Sequence, residues 1–243
     1  MIDITFLTST FLKLAAAVPT TLGLFFCSFI LGGIFALGIL AMRLSQWRVL
    51  RMTAKAYILV FRGSPLLIQL FLIYYGLGQF AVIRESFIWP VIKQPFFCAI
   101  FSLALCTASY TAEILRGARQ SIPQGQIEAG LACGMSRWLL LRRIIAPITL
   151  RYALPAYSTE AILLVKSTAL ASLVTVWEVT GVAQKIIQET YRTLEVFICA
   201  AVIYLLINYV LIKAFQLLER YLSKNERPTP ATAVAEPQSA ERS

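Results

Sequence analysis

LAAAVPTTLGLFFCSFILGGIFALGILAM, residues 14–42, carries no charged side chain in 29 positions, and this run decides the class of fold. A helix needs roughly 20 apolar residues to cross a bilayer core. Working outward from it, residues 63–83, 94–112 and 196–212 are also free of charge, over 21, 19 and 17 positions. A fifth stretch, residues 152–177, is interrupted within its apolar part only by Glu160 and Lys166. The pattern predicts an all-α, polytopic membrane protein with about five transmembrane helices. The first run is too long for a secretory signal, and Asp3 precedes Lys13 where such a signal starts basic.

Only 14% of the residues are charged, against about 25% in soluble domains. With a mean hydropathy of +0.74, this excludes a disordered chain, a disulfide-stapled secreted module and a nucleic-acid-binding arm. The net charge of +10 therefore has to be located. Arg43, Arg48, Arg51 and Lys55 follow the first span with no acid among them. Arg116, Arg119, Arg137, Arg142 and Arg143 follow the third against Glu128 alone. Such loops stay on the cytoplasmic side. The other loops hold Arg84, Glu85 and Lys93, then Glu178, Lys185, Glu189, Arg192 and Glu195, without a comparable basic excess. Residues 1–13 are thus expected to be an extracytoplasmic N-terminus and 14–222 the membrane domain. Residues 223–243, rich in Pro, Ala, Thr, Glu and Ser, are expected to be a disordered cytoplasmic tail.

The chemistry expected of the chain is limited. Five cysteines form no CxxC pair, there is no histidine, and no phosphate-binding GxxxxGK[ST] loop occurs. The usual imidazole metal sites and Ser/His or Cys/His nucleophiles are therefore missing. The chain reads as no enzyme, and any ATP it uses has to be hydrolysed by another chain. A secondary transporter or channel is the alternative, although five unequal spans lack the paired halves of an inverted repeat.

The loop over residues 117–147 is too patterned for a connector. Its core, SIPQGQIEAGLACGMSRWLLLRRIIAP over 121–147, has a turn at Pro123 and Gly125 and then Ile127, Leu131 and Met135 at helical spacing. Ala129, Gly130, Ala132 and Gly134 leave much of the short helix bare, which suits close approach by another protein. A helix resting on lipid headgroups with its arginines is the other reading. Glu128, Ala129, Gly130, Gly134, Ile144 and Pro147 resemble the EAA motif of ABC importer permeases, departing from it at Gly130 and Ala146. FRGSPLLIQL (61–70), YTAEILR (110–116), SIPQG (121–125) and LPA with Glu160 and KSTAL (154–170) resemble the polar amino acid branch. The match spans about residues 14–222 and is similar in particular to permeases for basic amino acids and for the opines octopine and nopaline.

This resemblance implies a type I importer permease of the bacterial inner membrane. It implies as partners a second homologous permease, a dimer of ATP-binding cassette ATPases that use ATP and Mg, and a periplasmic solute-binding protein. Glu128, Ala129, Gly130, Gly134 and Met135 would form the helix that couples to the ATPase. No cofactor or metal is expected on this chain.

Ionisable residues at membrane depth are costly and face protein or water. Glu160, Leu164, Ser167 and Thr168 share a helical face, and Glu160 is the candidate contact for the cationic group of an amino acid or opine. Lys166 lies about 120° away and meets a substrate carboxylate, meets the partner permease or snorkels to water. Arg62 and Gln69, seven apart in the second span, share a face. Arg62 is then either a carboxylate fork or an anchor at the cytoplasmic end. Ser102, Cys106, Ser109 and Glu113 form a stripe that suits the path, but Glu113 is better read as a local partner of Arg116.

Overall fold

The computed structural model describes residues 3–87 and 89–223. Helix α1 (Ile4–Ala15) crosses the expected boundary at residue 14 and runs, after a turn at Ala16 and Ala17, into α2 (Val18–Leu44). Asp3 caps α1 by accepting the Phe6 N–H at 3.1 Å and an Arg192 N–H at 3.3 Å. The backbone bond first, and the guanidinium after it, hold the Asp3 carboxyl below its ordinary pKa. Then come α3 (Arg48–Gly63), α4 (Leu66–Phe71), the short α5 (Ala81–Arg84) and α6 (Trp89–Ile92), and the long α7 (Pro95–Gln120). Beyond α7 lie α8 (Gln124–Ala132), α9 (Arg137–Leu140), α10 (Ala146–Ser167), α11 (Val179–Thr190) and α12 (Thr193–Ser223). No strand occurs among the described residues.

Three helical stretches, Ile4–Leu44, Pro95–Gln120 and Thr193–Leu222, are long and apolar enough to cross a membrane. Two bent pairs bring the number to five. Arg48–Gly63 meets Leu66–Gln79 at 106°, and Arg137–Val174 meets Val179–Thr190 at 48°. The expectation of about five spans is met when each bent pair is counted as one broken span, and three are met by single helical stretches. The first break follows from Ser64 and Pro65, since proline forces the preceding residue out of the helical region; Ser64 is extended, at φ −105° and ψ 147°. The first basic loop is accordingly mostly the helix α3. The expected tail, residues 223–243, lies outside the described residues from 224 onward.

The centre of the fold is the seam between α2 and α7. Ser28, Gly32 and Ala36 recur every fourth residue on α2, and Ile100, Ala104, Ala108 and Ala112 do so on α7; all are buried. Lipid is as apolar as leucine, so helices in a membrane associate by close packing, and small side chains permit it. A Cβ on Gly32 would sit 3.0 Å from the Ala104 carbonyl oxygen and 3.3 Å from Thr107 Cβ. Ser28 donates its hydroxyl to the Ile100 carbonyl at 3.3 Å. Helix α3 is tied to the same seam by Tyr57, whose hydroxyl donates to the Leu105 carbonyl at 2.7 Å.

A second tie was not legible from the run of charges after residue 177. Glu178, expected among solvated loop charges, is fully buried. Its Oε1 accepts the Gly181 N–H at 2.8 Å, capping α11, and its Oε2 accepts the Tyr204 hydroxyl of α12 at 2.6 Å. Thr21 of α2 accepts the Val179 N–H at 3.2 Å. A buried carboxylate persists only when hydrogen-bonded in this way. The cap fixes the break between α10 and α11 against α2 and α12.

The seam yields a paired prediction. Gly32→Leu is expected to destabilise the protein by about 1–3 kcal/mol through overpacking. Gly38→Leu on the same helix, where a Cβ meets nothing within 4 Å, is expected to change it little. Thermal unfolding in detergent micelles reads the difference.

Candidate functional site

Helices α4, α7 and α10 enclose a cleft of about 230 Å³, and Glu160 is the one charged side chain in its lining among the described residues. Leu66 comes from the start of α4; Leu103, Cys106, Thr107 and Tyr110 from α7; Glu160, Leu163, Leu164 and Ser167 from α10. Glu160 is only 9% exposed, and its carboxylate accepts no hydrogen bond among the described residues. Arg62, at the end of α3, stacks on the Tyr110 ring with Cζ 4.8 Å from the centroid. Its charge acts on Glu160. The cleft thus holds a buried carboxylate, and an arginine outside its lining is stacked on Tyr110, which lines it. A carboxylate left without partners favours a cation in the cleft.

The other expected path residues divide. Ser167 lines the cleft, with its hydroxyl turned to the Leu163 carbonyl at 2.9 Å. Thr168 is fully buried and bonded to the Val165 carbonyl at 2.6 Å, outside the cleft lining. Lys166 is exposed on another face of α10. Gln69 does not share a face with Arg62, because the helix breaks between them at Ser64 and Pro65. Its amide instead donates to the Phe61 carbonyl at 2.9 Å, the Ser64 carbonyl at 3.0 Å and Ser64 Oγ at 2.9 Å, closing the bend. Tyr110 and Thr107 were missed by the sequence reading, although Tyr110 follows Cys106 by one helical turn on the stripe it identified.

Glu113 lies outside the cleft. It accepts from Arg116 at 2.8 Å, as its spacing suggested, and from Arg43 of α2 at 3.2 Å, which local spacing did not reveal. Arg116 also donates to Gln120 at 2.7 Å. A larger groove of about 530 Å³ between α1, α2, α10 and α12 is lined, among the described residues, by Phe, Ala, Val, Leu and Ile. It offers nothing to recognise charge.

The patterned loop forms α8, and α8 ends in a Schellman turn. The Met135 N–H donates to the Gly130 carbonyl at 3.1 Å and the Gly134 N–H to the Leu131 carbonyl at 2.9 Å. Gly134 takes φ +74° there, a conformation natural to glycine. Gly130 corrects the expectation of an exposed small-residue surface. It is buried, and a Cβ would lie 2.6 Å from Leu140 Cδ1 and 2.8 Å from Ile144 Cδ1. Its departure from the Ala of the EAA pattern thus seats α8 on the helix leading to Glu160. Met135 is half-buried in the same cluster with Ile122, Leu140 and Ile145. Glu128, Ala129 and Gly134 remain exposed, beside Leu131 at 50% and Trp138 at 70%.

Comparison with known proteins agrees with this fold. A family profile described as binding-protein-dependent transport system inner membrane component matches residues 28–224. The octopine transport system permease protein OccM of Rhizobium radiobacter is 51% identical over 217 residues, 89% of each chain. The histidine/lysine/arginine/ornithine transport system permease protein HisM of Escherichia coli strain K12 is 38% identical over 213 residues, 87% of this chain and 90% of that one. Among solved structures, an amino acid ABC transporter crystallised with histidines superposes with a TM-score of 0.80 at 31% identity, covering 91% of this chain and 99% of that one.

Gly130→Leu is expected to lift α8 from Leu140 and Ile144. Limited trypsin digestion of the purified chain reads this as faster cleavage at Arg137; an unchanged rate would show that α8 is held by other contacts.

Proposed function

The chain belongs to the family of inner membrane components of binding-protein-dependent transport systems, as a permease subunit of an ABC importer, and we propose that it carries a cationic amino acid or an opine of the octopine or nopaline type. The observation that carries this reading is the cleft with its buried, unpartnered Glu160; in the proposal Glu160 takes the ammonium or guanidinium of the substrate and Arg62 its carboxylate. The names of the relatives support it, since OccM and NocM are octopine and nopaline transport permeases. Ser167 lines the path beside Glu160. Thr168 supports the turn below it, Gln69 positions Arg62 through the bend, and Lys166 faces lipid headgroups or the second permease.

Two such permeases face one another, with the N-terminus periplasmic and the C-terminus cytoplasmic. The basic residues Arg43 to Lys55 and Arg116 to Arg143 support this orientation. ATP and Mg are bound by a separate pair of ATPase chains, and a periplasmic solute-binding protein delivers the substrate. The exposed face of α8, through Glu128, Ala129 and Gly134, docks on the ATPase. Gly130 and Met135 work from the other side, joining α8 to the chain's own Leu140 and Ile144. From Ile144 the helix runs to Glu160, a distance of roughly 24 Å at 1.5 Å per residue. Displacement of α8 by the ATPase is therefore delivered to the cleft along one helical stretch, π-wound over Leu141–Ile145 and carrying Pro155 in its interior. ATP shifts the cleft between its two openings only by binding one of them more tightly.

Glu160→Gln is expected to lower uptake of a cationic substrate by about 10- to 100-fold, the loss of one charge-assisted contact. Glu160→Asp should retain more. Uptake by E160Q equal to that of the parent would remove Glu160 from the path. For the docking face, Ala129→Arg and Gly134→Arg are both expected to abolish recovery of the ATPase in pull-down while the permease still inserts. Ala129 sits in an unstrained helix, so its variant separates docking from backbone strain.

A further inference from the structure

Helix α3 has three faces. Ala54 and Ile58 are buried, with Tyr57 and Phe61 half-buried beside them, and this face holds the helix to the protein. Val49, Met52 and Val60 form an apolar face that is 75%, 67% and 59% exposed. Between the two runs a stripe of cations, Arg48, Arg51 and Lys55, at i, i+3 and i+7, all exposed. Trp47, at the N-cap, is 75% exposed.

These cations have no acidic neighbour along the chain, since no Asp or Glu occurs between Asp3 and Glu85. Arg43 is engaged by Glu113, but Arg48, Arg51 and Lys55 form no ion pair among the described residues. The 106° bend adds a direction. If α4 and its continuation cross the bilayer, α3 runs close to the membrane plane.

A helix in that plane, with lysine and arginine on one face, large apolar residues on the next and an indole at its end, matches the layering of a membrane interface. We propose that Arg48, Arg51 and Lys55, with Trp47, form a binding surface for anionic phospholipid headgroups. Phosphate oxygens meet the stripe, the indole sits at the glycerol level, and Val49, Met52 and Val60 enter the upper acyl chains. Charge complementarity selects this occupant over a zwitterionic lipid, at about fivefold per cation. The surface is separate from the Glu160 cleft and is independent of what the cleft carries.

The test uses the full chain with its partner subunits in vesicles, with Trp89, Trp138 and Trp177 and every tryptophan of the partner subunits replaced by Phe so that Trp47 alone fluoresces. Phosphatidylglycerol or phosphatidylcholine brominated on its acyl chains is added at equal mole fraction. Quenching is expected to be several-fold stronger with the phosphatidylglycerol. In R48Q/R51Q/K55Q the affinity for phosphatidylglycerol should drop by about a hundredfold, so that its quenching falls to the phosphatidylcholine level, and the preference should persist in R48K/R51K. Equal quenching by both lipids, an unchanged preference in the glutamine variant, or no quenching by either lipid would overturn the proposal. The last outcome would mean that another protein chain covers the stripe.

Discussion

The close contact of α2 with α7 is the constraint on which the other elements depend. Inside a bilayer no hydrophobic force drives helices together, so the seam relies on approach at backbone distance. Ser28, Gly32 and Ala36 provide that approach on one side and Ala104, Ala108 and Ala112 on the other. With the seam formed, Tyr57 ties α3 to the Leu105 carbonyl, and α10 packs on the α7 face that carries Cys106, Thr107 and Tyr110. The cleft is thus a consequence of the seam.

Charge is placed on this scaffold in three ways. Glu178 is buried and fully engaged, with Tyr204 and the Gly181 N–H as partners, and it holds a break in a span. Glu113 is shared between Arg43 and Arg116 and joins the ends of α2 and α7. Glu160 is buried with Arg62 as its nearby opposite charge and accepts no hydrogen bond among the described residues. The first two arrangements are complete as they stand. The third carboxylate has no hydrogen-bond partner among the described residues, and this difference is what the proposal of Glu160 as the substrate contact rests on.

Much of this was legible in the sequence because membranes impose a simple rule. Charge-free runs marked the spans, and the spacing of Glu160, Leu164 and Ser167 placed them on one face, as found. The reading failed where a local feature changed direction. Pro65 was visible, yet the seven-residue spacing of Arg62 and Gln69 assumed an unbroken helix. Gly130 looked like part of a bare surface because periodicity does not say which face meets the chain's own next helix. Glu178 looked solvated because its partner Tyr204 lies 26 residues away, beyond any local pattern.

The central claim is that this permease works only when ATP-driven movement of α8 reaches the Glu160 cleft. The most direct measurement is uptake of radiolabelled substrate into proteoliposomes holding this chain, its partner permease and the ATPase, with loaded binding protein outside and ATP inside. Uptake should require ATP, magnesium and the binding protein together, and should cease when any one is omitted. Uptake that continues without ATP would contradict the account and assign the chain to secondary transport.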